Sequence, residues 1–123
     1  MYGSRRDANI GPDGVGGFYG RPPLRGVLPI AVLSLIKDKP AHGGEIFQTL
    51  QDKFEIEAAR PVVYMLMRRM ERFGLMISEW DIQTSGPARR KYTITEEGLE
   101  HLKSGLERLK KQSKIIKILT GEK

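Results

Sequence analysis

The sequence contains no cysteine, which excludes disulfides and cysteine-ligated zinc. Its two histidines, His42 and His101, lie far apart and have no ligand-like spacing to acids. No metal site is therefore expected. No run approaches the roughly 18 apolar residues that mark a membrane span, so no membrane partner is expected. Arg5-Arg6 is followed by a Gly-rich polar stretch rather than an apolar one, which argues against a twin-arginine export signal. The default location is then the cytoplasm. There is no catalytic dyad, no phosphate-cradling glycine loop and no metal set. The chain does not read as an enzyme, and no cofactor is expected.

Acidic residues are also in deficit. Fifteen Asp and Glu face 21 Lys and Arg, for a net charge of +6. That balance favours polyanionic partners. Apolar residues make up 39% of the 123 residues, a modest share, but they concentrate after residue 26. The length suits one domain with tails, its core small and completed by a partner chain.

Residues 1–24 hold six glycines and three prolines and show little periodicity, so they read as a flexible arm. The arm carries Arg5, Arg6 and Arg21. Basic arms of this kind can lie in a DNA minor groove, and a plain tail is the competing reading.

Helical spacing begins with Val27, Leu28, Ala31, Val32, Leu35 and Ile36. Pro29 belongs in a first turn, and Lys37-Asp38-Lys39-Pro40 ends the helix. His42-Gly43-Gly44 reads as a turn before a second helix from about Gly44 to Lys53. The third helix runs from Pro61 to about Phe73, with Gly74 past its end. Val63, Leu66, Met67 and Met70 form its apolar stripe. Arg60, Tyr64, Arg68 and Arg72 recur every four residues on another side. Such a row repels itself unless solvated or bound to phosphate, and Glu71 relieves only part of that repulsion.

Leu75 to Asp81 and Arg89 to Thr95 read as two strands around a loop, Ile82 to Ala88, with Ser85-Gly86-Pro87 near its tip. Tyr92 and Ile94 share one face; Lys91 and Thr93 point the other way. The run Arg89-Arg90-Lys91 places three cations beside the tip, where a nucleic-acid backbone is the commonest matching anion. Trp80 reads as a wet, packed edge residue, with a ligand-stacking platform as the alternative. Thr95 is a good N-cap for a last helix, with Glu96 and Glu97 in its first turn and Gly98 in place of a full capping box. Leu99, Leu102, Leu106, Leu109, Ser113 and Ile116 then repeat at three–four spacing, and Leu119 widens the seam. It needs a partner surface, either the chain's own first helix or, preferred here, a second subunit.

Three helices followed by a hairpin form the winged helix-turn-helix. The expected fold is thus mainly α with a small β-hairpin and a long C-terminal dimerisation helix. Its parts are an arm (1–24), a winged-helix domain (25–95) and a dimerisation helix with tail (96–123).

Three stretches carry a resemblance. The first is Leu33-Ser34-Leu35-Ile36, followed by Pro40-Ala41-His42-Gly43-Gly44-Glu45-Ile46. The second runs from Val63 to Leu75, and the third from Gly86 to Gly98. Together they resemble the PadR family of transcriptional regulators. Two departures stand out. Gly44 replaces a usual tyrosine, and Pro61-Val62 replaces a Gly-Ser or Gly-Thr pair, which removes a hydroxyl contact to phosphate. The resemblance implies a homodimer joined through its first and last helices, and often repression relieved by a small-molecule effector, which the sequence does not identify.

The combined expectation is a sequence-specific regulator, a repressor, binding double-stranded DNA as a homodimer on a pseudo-palindromic operator. Expected DNA contacts are Arg60, Tyr64, Arg68, Arg72, Arg89, Arg90 and Lys91. Expected interface residues are Leu28, Val32, Leu99, Leu102, Leu106, Leu109, Ile116 and Leu119. The alternatives are a winged-helix protein-interaction module and a non-specific chromatin-like DNA-binding protein.

Overall fold

The computed structural model of the chain describes residues 26–82 and 86–122. The arm read over 1–24 and most of the loop tip before Gly86 lie outside the described residues. The elements run α1 (Val27–Ile36), β1 (Ala41–His42), α2 (Gly43–Phe54), α3 (Arg60–Arg72), β2 (Met76–Asp81), β3 (Arg89–Ile94) and α4 (Glu96–Thr120). This is the expected helical fold with a wing, except that the hairpin has gained a strand.

The extra strand corrects the reading of His42-Gly43-Gly44 as a turn. Ala41 and His42 pair antiparallel with Tyr92 and Lys91, giving a three-stranded sheet in the order β1-β3-β2. Two residues are too few to show a strand period. His42 is also the N-cap of α2, closing a capping box with Glu45. A histidine seldom fills that role, so the residue type alone does not mark the start of α2 at Gly43.

Local punctuation otherwise behaves as the residue types dictate. Pro29 is the third residue of α1, where its missing N–H leaves no helical bond unmade. Pro61 occupies the second position of α3. Gly74 ends that segment at φ 79°, a left-handed conformation glycine adopts without steric cost. Its N–H donates to Glu71 O, and Leu75 N–H donates to Met70 O, both at 3.0 Å.

The core forms where the apolar faces converge. Ile30, Leu33 and Ile36 from α1 meet Ile46 and Leu50 from α2, Val63, Met67 and Met70 from α3, and Met76 and Tyr92 from the sheet. The apolar stripe assigned to α3 therefore faces inward, with Leu66 packed at its margin. The methionines fill space between three helices and a sheet, as unbranched side chains do well.

α4 reaches the body through two glycines. A Cβ on Gly98 would overlap the Leu75 carbonyl oxygen and stand 2.7 Å from Ile94 Cγ1. A Cβ on Gly105 would overlap Ile30 Cδ1 on α1. Leu102, between them, is 4% exposed. This corrects part of the expected interface. Leu102 and Val32, which is 0% exposed, are buried in the chain's own core and have no surface left for a partner. Leu28 and Leu109 are partly buried against that same core. Leu99, Leu106 and Ile116 stay exposed, and Leu119 is 78% exposed. The three–four seam is thus divided, one edge covering α1 and the other facing outward.

Two outcomes follow for stability. Gly98→Ala should cost about 2–3 kcal/mol by urea unfolding, because backbone cannot move aside, whereas Gly105→Ala should cost less because the Ile30 tip can turn. The His101 ring is held below the ordinary histidine value of 6.5, first by burial and then by the charge of Arg108. The native state therefore binds fewer protons there than the unfolded chain. Stability should be full above that value and decline as pH falls through it. His101→Gln should flatten the decline between about pH 7 and pH 5, read from denaturation midpoints across that range.

Candidate nucleic-acid interface

The exposed edge of α3 and the wing face each other across a cleft of about 470 Å³. Tyr64 and Arg68 line one wall, Arg89, Arg90 and Trp80 the other, and Gly43 and Gly44 the end. Both glycines shape it. A Cβ on Gly43 would come 3.3 Å from the Tyr64 ring, so this backbone lets Tyr64 lie close against the head of α2. A Cβ on Gly44 would meet nothing within 4 Å. The position of the tyrosine departure noted above therefore opens into the cleft, which is left wider for want of a side chain.

The wing's register sorts its three cations. Trp80 lies directly opposite Arg90, Asp81 opposite Arg89, and Glu79 opposite Lys91. Residues paired in this way share a face. The Arg90 guanidinium stacks 4.7 Å from the centroid of the Trp80 ring. Its Nη1 donates to Ser78 Oγ at 2.7 Å, and that hydroxyl donates to Glu71 Oε2 at 2.8 Å. Arg90 is thus held on the α3 side by a relay. Lys91 lines the opposite side of the sheet, near Pro40 and Thr49, and is not brought to the cleft.

Arg60, at the head of α3, is also held. Its guanidinium lies 4.4 Å from the Phe47 ring centroid, and Nη1 donates to Tyr64 Oη at 3.1 Å. Arg68 and Arg72 are exposed, Arg68 beside the cleft and Arg72 at the far end of α3. Of the seven expected contact residues, Tyr64, Arg68, Arg89 and Arg90 line the cleft, but Arg89 shares its strand face with Asp81 and Lys91, so Arg90 is the wing cation whose face is turned to α3. Arg60 and Arg72 mark the two ends of the same helix edge.

Some residues that build the site escape a reading by pattern. Trp80, 58% exposed, is the wet edge residue expected, and what packs on its ring is Arg90. Ser78 links two charged groups from mid-strand. Asp81 accepts from His42, and this hydrogen bond, ahead of the neighbouring cations, holds its carboxyl below the usual range. Tyr92, buried under the cleft, has its phenol pushed up by burial and then by Glu71. The Trp80–Arg90 pair was recoverable once the hairpin register was known. Nothing in the spacing of His42 and Asp81 announces their contact.

Three helices, a short strand before the second, and a two-stranded wing with basic residues facing the third helix define a winged helix-turn-helix protein. Residues 32–104 match the model of the transcriptional regulator PadR-like family, and the chain belongs to that family of transcription regulators. Among similar solved structures is a PadR family regulator from Eggerthella lenta. It is 33% identical, with 76% of this chain and 80% of that one covered, at a TM-score of 0.68. Another, a PadR family regulator from Clostridium difficile, is 25% identical over 77% of this chain and 99% of that one, at a TM-score of 0.69. The Bacillus subtilis PadR structure in complex with operator DNA shares the fold at 22% identity and a TM-score of 0.61, covering 66% of this chain and 47% of that one. No curated protein matches the sequence.

Arg90→Ala should raise the accessibility of Trp80 to acrylamide while lowering stability by no more than about 1 kcal/mol, the scale of an exposed cation–π contact. Unchanged quenching would show that the stack is not populated in solution.

Proposed function

We propose that this chain is a sequence-specific DNA-binding transcription regulator acting as a homodimer, and a repressor. The observation that carries the reading is the meeting of two basic elements across one cleft. Arg68 on α3 and Arg89 and Arg90 on the wing converge from separate parts of the chain. Like charges are brought together in this way at little benefit to the free protein, and a phosphate backbone lowers their mutual repulsion.

In this reading Tyr64 and Arg68 lie in or beside the major groove, and Arg60 and Arg72 hold phosphates at either end of α3. The wing contributes through Arg90 on its α3 face and Arg89 at its outer end; Lys91, farther from the tip on the face it shares with Arg89, adds long-range charge. The operator complex of the Bacillus subtilis protein supports a DNA role for a fold of this kind. The repressor sense, and its relief by a small molecule, rest on family resemblance alone.

The dimer reading rests on α4. Beyond Lys110 every described residue of the helix is exposed, including Ile115, Ile116, Ile118 and Leu119. Together with Leu99 and Leu106 they make a long apolar surface of the kind that a partner helix covers. A two-fold pair predicts a pseudo-palindromic operator with half-sites about 34–36 Å apart.

Binding to the DNA upstream of its own gene should weaken with salt at a log–log slope of roughly −5 to −7, from six to eight phosphate contacts. It should survive competition by random DNA with a preference of at least about 10³-fold. A slope near −1 would sink the reading, and loss of the preference would favour a chromatin-like role. Arg68→Ala with Arg89→Ala should abolish specific binding; unaffected affinity would point to a protein-interaction module. Ile116→Asp with Leu119→Asp should convert a dimer to a monomer by sedimentation.

A further inference from the structure

His42 does more than cap a helix. Its backbone N–H donates to Glu45 Oε1 at 2.8 Å, and its Nδ1 lies 3.1 Å from the same oxygen. Both contacts stay within the first turn of α2. Its Nε2 lies 2.7 Å from Asp81 Oδ2, a residue 39 positions away. Asp81 is the last residue of β2. The side chain therefore leaves β1, crosses over β3 and reaches the far strand of the wing.

The register explains why this contact matters. β1 accompanies β3 only as far as Lys91, its partner at His42. Beyond Lys91 the wing is two-stranded, and its last pair is Asp81 with Arg89. A two-stranded ribbon has little stability of its own in water. This one also carries adjacent arginines that repel each other. Among the described residues, the other side-chain hydrogen bond between the helices and the wing is Ser78 to Glu71, three residues nearer the root. The His42–Asp81 contact secures the end that Ser78 does not.

We propose that His42 is a positioning residue for DNA contact, a strut that holds the outer end of the wing, and with it Arg89 and Arg90, at a set distance from α3. The proposal rests on the DNA-binding reading given above. Without the strut the wing stays folded through the β1–β3 pairing but samples orientations in which its arginines miss the backbone. If the competent orientation falls to about a tenth of the population, apparent affinity falls about tenfold.

The cap and the strut can be separated. Asparagine caps helices well but is too short to reach Asp81, so His42→Asn keeps the first role and loses the second. Asp81→Ala removes the strut from the other end. It also removes a negative charge from a basic surface, which by itself would tighten DNA binding, so a loss of affinity there reports position rather than charge. Trp80, the chain's sole tryptophan, is next to Asp81 and reports wing motion without DNA.

Both variants should raise the mobility of Trp80 by fluorescence anisotropy and weaken operator binding about tenfold. The double variant should be no weaker than either single one. Unchanged Trp80 anisotropy in both, or effects on affinity that simply add, would overturn the strut. Should His42→Asn melt far below the parent, Asp81→Ala decides alone. If the parent protein itself shows no preference for operator DNA, the DNA-binding reading fails, and the anisotropy measurement still judges the strut.

Discussion

The structure depends on one joint, where the chain passes from α3 into the wing and from the wing into α4. Thr95 N–H donates to the Leu75 carbonyl at 3.2 Å. The Thr95 hydroxyl donates to the Gly74 carbonyl and accepts from Gly98 N–H, which is 3.0 Å away. Gly98 lies so close to the Leu75 carbonyl that no side chain fits between them. A left-handed glycine, a threonine cap and a helical glycine thus lock three elements at one point. Buried backbone groups that would be costly to leave unpaired are satisfied there. α3, the wing and α4 all leave from this joint, so their mutual angles follow from it. In the proposed homodimer, the separation of the two α3 helices would be set by the same geometry.

The basic residues are held in place without being directly neutralised. Arg60 lies over Phe47, and Arg90 over Trp80. An aromatic face attracts a guanidinium while leaving N–H donors at its edge free for another partner. Where a carboxylate is used, it sits one step away. Glu71 reaches Arg90 through Ser78, and Asp81 is engaged by His42. The cations are in this way oriented before binding, which reduces the entropy lost when they meet a charged backbone. Few exposed ion pairs would do the same, since they contribute little in water and weaken with salt.

Much of this was legible in the residues. Prolines and glycines marked the ends of α1 and α3, since each restricts or relaxes backbone conformation locally. Thr95 announced α4 because its hydroxyl can accept from a free N–H of the first turn. The four-residue recurrence of Arg60, Tyr64, Arg68 and Arg72 separated the outer edge of α3 from its buried stripe, because a helix repeats every 3.6 residues. The strand Ala41–His42 was not legible, since its pairing comes from β3 fifty residues later and not from its own composition. Nor could the fate of the α4 seam be read from spacing. Leu102 and Leu106 look alike in sequence, yet one is buried against the body and the other is exposed.

What the sequence alone determined, then, is the four helices and the two long strands, the basic edge of α3 and the basic run on the wing. These follow from period, caps and turns, all interactions within a few residues. Tertiary structure decided which cations share a cleft, which leucines remain outside, and that His42 spans the sheet to Asp81. Each depends on groups distant in the chain approaching within a few ångströms. No local pattern encodes such distances, because they follow from how the helices and sheet pack around one core.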